Sequence, residues 1–494
     1  MKICWADLHN HNEIGYGVGT LQRSYDLAEA SLDVFAFIPH GHWPDPPGDD
    51  PKLLAYHEAG FERVSRRFDE VLHAANARYR PGEFVSFVGF EWHSSEWGDY
   101  QVIFPGATGS LFKADTLHEL QAFARREDAL LIQHHIGYRR GWRGANWDAQ
   151  DAALTPVVEV FSEHGNSFDP ISHHGMTEHS MGGTTRSQTA LAQLIAGRRF
   201  GLIASTDTHN GHPASYDEGL AAILTDDLTR EGVFAAIRAR HTYAVSGDRI
   251  ALELGSGGAI VGDVLPRSAR REIRLAVDPL APLEFVKLLR NGRTAQVWAP
   301  ELPADSIPSA GSWIVRVDFG WDRLESSDLT LWNLDFVLED AAFEAAHPCF
   351  SGGPAGKGHL NRIIRKSPQN LRVEAFTSRD NPVPVSGVVL RINAAGNFRL
   401  KLSGSTDTAG QAGGFELETT LGELLKHDLW AQVLPRFSAP KLRIGCPWRV
   451  DELRFETTWC DPAPCDEDFY MLKVQQANGQ MAWSTPIWFS DRGD

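Results

Sequence analysis

Up to about Gly247, short apolar runs alternate with longer segments whose apolar positions recur every three to four residues. That is the pattern of strands separated by amphipathic helices. Strands are expected near residues 3–7, 34–38, 84–89, 129–133, 157–161, 201–205 and 219–224. Helices are expected in "LQRSYDLAEASL", in the long "KLLAYHEAGFERVSRRFDEVLHAANARY", in "TLHELQAFARRED" and "SQTALAQLIAGR", and in "TREGVFAAIRARH", where Thr229 suits an N-cap. Short apolar strands joined by helices imply parallel βα units, in either a barrel or an open doubly wound sheet.

Beyond residue 249 the pattern changes. Segments such as "EIRLAVDP", "SWIVRVDFGW", "LTLWNLDFVL" and "GVVLRINAAGNFRLKLSG" alternate apolar and polar residues between Gly- and Pro-containing turns. This predicts an antiparallel β domain, sandwich-like or a pair of small β modules. The expected division is therefore an α/β unit over 1–249 and a mainly β accessory domain over 250–494. The second part holds nine of the 15 tryptophans, which suit core and edge packing of a β domain.

The chain has 494 residues, 42% of them hydrophobic and 22% charged, enough for two or three domains with sizeable cores. Its net charge of −17 argues against a nucleic-acid or anionic-membrane footprint. No run is apolar and long enough to span a membrane, and the first residues lack the marks of a secretory peptide, so a cytoplasmic location is expected. Five cysteines, Cys4, Cys349, Cys446, Cys460 and Cys465, make no disulfide framework, and a lone "CDPAPC" lacks the second pair of a structural zinc site.

Histidine is concentrated early: 17 of 20 precede residue 250. Nearly every predicted strand of the first half ends in metal-capable residues: His9 and His11, His40 and His42, Glu91 and His93, His134 and His135, Glu163 and His164, Asp207 and His209. In parallel α/β architectures the carboxyl ends of strands share one face, so these residues converge. Crowded imidazoles and carboxylates call for a cation, and N and O donors without thiolate suit Zn, Mn or Fe. His57, His73 and His118 fall within predicted helices and read as surface or boundary positions.

These motifs resemble the PHP family, metal-dependent phosphoesterases named after polymerase and histidinol phosphatase. "DLHNH" is similar to its first motif, "FIPHGH" stands where the family has T-D-H, "GFE" is the glutamate strand, "QHHIG" stands for H-P-G, and "STDTH" is the closing D-x-H. The likeness covers roughly residues 1–247; the β-rich remainder looks like the extension of a little-characterised branch. It implies a distorted (β/α)7 barrel with two or three divalent cations. By that likeness His9, His11, Glu91 and Asp207 hold one ion, Glu91 bridges to a second on His134 or His135, and His40 and His209 serve a third. The sequence departs from the family twice: Gly17 stands where a further His is usual, and "GDYQVIF" offers Asp99 in place of a His.

The function so implied is phosphoester hydrolysis of a small phosphorylated or organophosphate substrate, by water activated between two cations. His42, Glu163 and His164 are candidates for the acid, or for partners that orient ligand imidazoles. Arg139, Arg140 and Arg143 in "GYRRGWRG" are candidates for binding an anionic substrate or form a solvated basic loop, with Asn12, Tyr138, Trp142, Asn166 and Arg186 as further pocket positions. The long segment "SFDPISHHGMTEHSMGGTTRSQ", with His173, His174 and His179, reads as a structural loop or a lid. Two other readings stay open: an amidohydrolase-like enzyme cleaving C–N or carboxyl ester bonds, and a non-catalytic binding or scaffold protein. The DNA exonuclease activity of some relatives fits poorly with the acidic balance.

Overall fold

Pro51 opens the longest helix of the chain, and Asp50 caps it by accepting from the Lys52 and Leu53 amides; other helices of the first half begin on Thr20, Thr116 and Thr229 in the same way. The computed structural model describes residues 1–48, 50–170, 174–176, 181–301, 307–320, 329–352, 359–378, 385–408, 410–434 and 439–491. The first half runs β1 (Lys2–Asp7), α1 (Leu21–Ser31), β2 (Val34–Phe37), β3 (His40–His42), α2 (Pro51–Arg78), β4 (Val85–Trp92), β5 (Tyr100–Ile103), α3 (Leu117–Arg126), β6 (Leu130–Gln133), β7 (Val157–Ser162), β8 (Gly165–Asn166), α4 (Ala190–Ile195), β9 (Gly201–Ala204), β10 (Leu220–Thr225), α5 (Arg230–Arg238) and β11 (Thr242–Val245).

The seven expected strands and five expected helices are present. β1 lies parallel to β2, β2 and β3 to β4, β6 to β7, and β7 to β9. Every residue of β2 and β4 is buried, as in a sheet covered on both faces. The sheet is mixed, however. β5, not anticipated from its four-residue run, returns antiparallel between β4 and β6, while β10 and β11 add antiparallel at the side of β1. Thr242 Oγ1 reaches Leu202 O at 3.0 Å, yet no ladder joins β9 to β11 among the described residues. The mixed α/β architecture is therefore present, and the distorted (β/α)7 barrel that the resemblance implies is not seen as a closed barrel among the described residues.

The sheet does not stop at residue 249. Segments Leu283–Arg290, Arg293–Trp298, Asp468–Gln476, Met481–Ser484 and Ile487–Phe489 belong to it, and Ala244 pairs with Trp483. Trp483 is buried and stacks on Phe161 of β7 with ring centroids 5.6 Å apart. Val264–Leu265 joins the same sheet parallel to Ile487–Phe489, and the two other sheets of the second half are antiparallel, as expected. One sheet contains Ala251–Ser256, Glu272–Asp278 and Phe455–Cys460; the other is built on two long strands, Leu329–Cys349 and Val385–Thr408. In the former of these long strands, Thr330, Trp332, Leu334, Phe336 and Leu338 point into the core, and the residues between them are half-exposed. No described helix is long and apolar enough to cross a membrane.

Asp248 ties these parts together. It is fully buried, its Oδ1 accepts from Tyr216 Oη (2.9 Å) and Arg316 Nη1 (3.4 Å), and its Oδ2 accepts from Gln476 Nε2 and Asn478 Nδ2 (both 2.7 Å). Asp248→Ala removes the acceptor shared by Tyr216, Gln476, Asn478 and the half-buried Arg316, which keeps Asp318 at 2.7 Å, a loss of about 2 kcal/mol. Urea unfolding is expected to show that drop in midpoint; an unchanged midpoint contradicts the joining role.

Candidate metal centre

The backbone brings the first two strand ends together before any side chain is considered. Asp207 N donates to His9 O at 2.7 Å, His11 N to Thr208 O at 2.8 Å, and Asn10 forms a parallel bridge with Thr208. Beneath them the buried Asp7 accepts from the His9, Thr206 and Ala214 amides and from Thr206 Oγ1, which fixes the turn out of β1. Burial raises the Asp7 carboxyl above its usual range, and those hydrogen bonds work against the rise.

His9 and His11 follow β1, His40 opens β3, Glu91 is near the end of β4, His134 and His135 follow β6, and Asp207 and His209 follow β9. All converge. His9 Nε2, His11 Nε2 and Asp207 Oδ1 form a triangle with edges of 3.1, 3.0 and 3.3 Å. Ligands around a tetrahedral ion at about 2.0 Å are separated by about 3.3 Å, so the triangle has the dimensions of one coordination face. Glu91 joins it to the remaining groups. Its Oε2 faces His11 (3.5 Å), His40 (3.7 Å) and His9 (3.9 Å), and its Oε1 faces His134 (2.9 Å) and His93 (3.3 Å).

The donor set fits divalent cations. Groupings within coordination range of one another include His9–His11–Asp207, His9–Glu91–His134, His11–His40–His209, His40–Glu91–His93 and Asp99–His134–His135. Apart from the half-buried His209 these residues are buried, and Glu91 Oε2, His11 Nδ1 and His134 Nδ1 are buried without a hydrogen-bond partner among the described residues. Buried polar atoms without partners are costly, and an ion at the centre removes that cost for the carboxylate oxygen. Burial resists charging, but His93, His134 and His9 hold the Glu91 carboxyl well below its usual value. Burial and the neighbouring His209 push His11 down to about 4, and burial with His9 and His135 pushes His134 down to about 3. Unprotonated imidazoles and ionised carboxylates are the forms that bind metal.

All nine residues expected to bind metal therefore lie in the cluster. His93, noted only as a strand end, joins them, bonded through Nδ1 to Asp99 at 3.1 Å. Two other contributors escaped the sequence reading. Glu159, in the middle of β7, contacts His9 Nδ1 at 3.2 Å and accepts from Gln101 at 2.9 Å, which turns His9 Nε2 toward the centre. Burial moves Glu159 up to about 7, and Asp207 and Glu159 overcome burial to raise His9, so a proton is held between the two. Tyr16 stacks on His40 with centroids 3.4 Å apart and places its hydroxyl 3.3 Å from His93 Nε2. Gly17 packs so closely that a Cβ would lie 2.7 Å from His209 O. No side chain fits there, and the Tyr16 ring lies over His40 instead. Alternation alone would have marked Glu159 as facing the same side as Val157 and Phe161, which gave no reason to single it out.

The other candidates divide. Glu163 bonds His209 Nδ1 at 3.0 Å on the more open side, and burial raises its carboxyl. His164 Nε2 is 3.4 Å from Asp207 Oδ2, while its Nδ1 meets the Tyr138 hydroxyl at 2.9 Å. His42 is not drawn in: its ring nitrogen Nε2 is buried without a partner among the described residues, and burial, with Lys113 nearby, lowers its imidazole. Of the three arginines only Arg143 turns inward. Arg140 is exposed and pairs with Asp148 at 3.0 Å, and Arg139 is exposed and lies over the Trp142 ring. Asn12 is buried, its Oδ1 accepting from Ile14 N in the turn after His11, and Asn166 bonds Phe168 N similarly. Arg186 sits in a single 3-10 turn. His57 packs on Tyr16 and Trp43 and so backs the site's aromatic wall, whereas His73 and His118 are exposed as expected. His173 and His179 lie outside the described residues; His174 contacts Gly479 O at 3.1 Å.

Backbone strain gathers here too. His135, Asp207 and Arg143 have φ of 32°, 55° and 67°, in the left-handed region that non-glycine residues enter at a cost.

Residues 215–273 match a family described as "Protein of unknown function (DUF3604)". That segment holds Asp248 and the strands around it but none of the clustered imidazoles. An uncharacterised protein of Chlamydia pneumoniae is 28% identical over 165 residues, covering 29% of this chain and 26% of that protein. An uncharacterised protein of Chlamydia muridarum is 24% identical over 181 residues, covering 32% and 28% respectively. The matches thus span about a quarter of the length of these relatives. A cohesin module from a Clostridium perfringens family 33 glycoside hydrolase aligns with 35% of this chain and 93% of the module, at 9% identity and a TM-score of 0.11, too low to carry an argument.

Proposed function

We propose that this chain is a metal-dependent hydrolase of the PHP type, a phosphoesterase acting on a small anionic phosphorylated or organophosphate substrate. The observation that carries this reading is the His9–His11–Asp207 triangle sharing Glu91 with the His134 side of the cluster. Two or three divalent ions of the Zn, Mn or Fe type suit the donors, with His9, His11, Glu91 and Asp207 holding one and His134 and His40 serving its neighbours. Such ions supply Lewis acidity and lower the pKa of water.

The chain's own residues do the rest. Glu159 orients His9, Tyr16 fixes the His40 ring, and Glu91 spans the two sides of the cluster. Glu163, whose carboxyl burial raises and whose Oε1 bonds His209 Nδ1, serves as the acid for a leaving oxygen. His164, anchored by Tyr138 and facing Asp207, orients that carboxylate.

One observation favours a second reading. Arg139 and Arg140 lie outside the cluster and Arg143 is engaged by Asp99, so few cationic side chains await a phosphate. Cleavage of C–N or carboxyl ester bonds by the same cluster accommodates that.

Screening phosphomonoesters, diesters, triesters, amides and carboxyl esters separates the two. Turnover confined to phosphoesters supports the first reading, turnover confined to amides or carboxyl esters the second, and no turnover by metal-loaded protein supports a binding role. Glu91→Gln is expected to abolish turnover and to lower bound metal measured by elemental analysis; full retention of both contradicts the site. Glu159→Gln is expected to weaken metal binding by roughly 10–100-fold in a chelator competition. His118→Ala, on an exposed helix face, leaves metal and turnover unchanged.

A further inference from the structure

Charge is balanced in one corner of the cluster and not in the other. Asp99 is buried, and Arg143 Nε donates to its Oδ2 at 2.7 Å while Nη2 reaches the same oxygen. His93 Nδ1 and His135 Nε2 lie 3.1 and 3.2 Å from that oxygen. Arg143 Nη2 is also 3.0 Å from His93 Nδ1. Glu91 and Asp207, by contrast, have imidazoles as their ion-pair partners, and among the described residues no Lys or Arg pairs with either.

The loop is built to hold the guanidinium inward. Gly144 passes so close to Tyr138 O that a Cβ would lie 2.0 Å from it, and Arg143 takes a left-handed φ of 67°. Its amide is tied to Ser95 O at 3.1 Å, and the guanidinium lies over the Trp43 ring, 4.9 Å from the centroid. A strained, anchored backbone that delivers one side chain to one carboxylate points to a function for that pairing.

We propose that the Arg143 guanidinium is the resident cation of the Asp99 corner and stands in for a metal ion at the position that Asp99, His134 and His135 would otherwise offer. The inference rests on the cluster being a metal centre. A divalent ion there competes with two N–H donors for one oxygen and meets a fixed positive charge a few ångströms away. Metal ions accordingly gather on Glu91 and Asp207, and Asp99 serves as the counter-ion of Arg143.

Purified wild type, Arg143→Gln and Arg143→Lys, each dialysed against Mn2+ or Zn2+ and checked for folding by circular dichroism, are compared by elemental analysis. Arg143→Gln is expected to bind one more ion per chain than wild type, and Arg143→Lys the wild-type number; equal numbers in Arg143→Gln and wild type overturn the proposal. Anomalous scattering from metal-soaked wild-type crystals gives an independent reading should Arg143→Gln fail to fold. Peaks beside Glu91 and Asp207 with none at Asp99 support the proposal, and a peak ligated by Asp99 and His135 overturns it alone. Wild type that binds no ion removes the metal reading and this proposal together.

Discussion

The constraint on which the site depends is the cost of burying ionisable groups at one end of a sheet. Glu91 and Asp207 are carboxylates removed from water and surrounded by His9, His11, His40, His134 and His209. Hydrogen bonding joins Asp207 Oδ1 to His11 at 3.0 Å but does not account for the surroundings of Glu91 Oε2. Glu91 Oε2 has three imidazole nitrogens at 3.5 to 3.9 Å and a bond to none of them. Those separations are long for hydrogen bonds and right for ligands sharing an ion. Asp99 meets the same cost in another way, with a guanidinium from its own chain. Two adjacent solutions to one electrostatic problem explain why donors are so dense here and why each needs a supporting shell: Glu159 for His9, Tyr138 for His164, Asp7 for the turn that carries His9.

The sequence made the convergence legible because strand ends are local features. "DLHNH", "GFE", "QHHIG" and "STDTH" each show a short apolar run meeting N and O donors, and parallel packing brings those ends together. What it hid falls into two kinds. Tyr16 and Glu159 act through orientation, and neither a tyrosine in a Gly-rich turn nor a glutamate inside an apolar strand differs in sequence from ordinary packing residues. Arg139, Arg140 and Arg143 were equivalent in sequence; a left-handed backbone at Arg143, which follows Gly141 by two residues, turns one inward and leaves two on the surface.

The fold shows the same division. Helices and parallel strands of the first half follow from periodicity and caps. The antiparallel insertion of Tyr100–Ile103 and the return of Met481–Ser484 to pair with Thr242–Val245 are long-range or four-residue events without a local signal. Because the last strands complete the sheet that begins the chain, and because Asp248 links Tyr216 to Arg316, Gln476 and Asn478, the β-rich half is bound into the loop region that follows His209. Tyr216 N also donates to Phe350 O at 2.8 Å, and His212 meets Asn361 Nδ2 at 2.8 Å. The second half thereby braces the segment from which Asp207 and His209 are presented.

The central claim is that the buried cluster is completed by divalent cations. Native mass spectrometry of the purified full-length chain, before and after exhaustive chelation, tests it most directly. At least one bound divalent ion, removed by chelator and regained on adding Zn2+ or Mn2+ with a rise in the thermal midpoint, is the predicted result. A chain that stays metal-free under both conditions, with an unchanged midpoint, contradicts it.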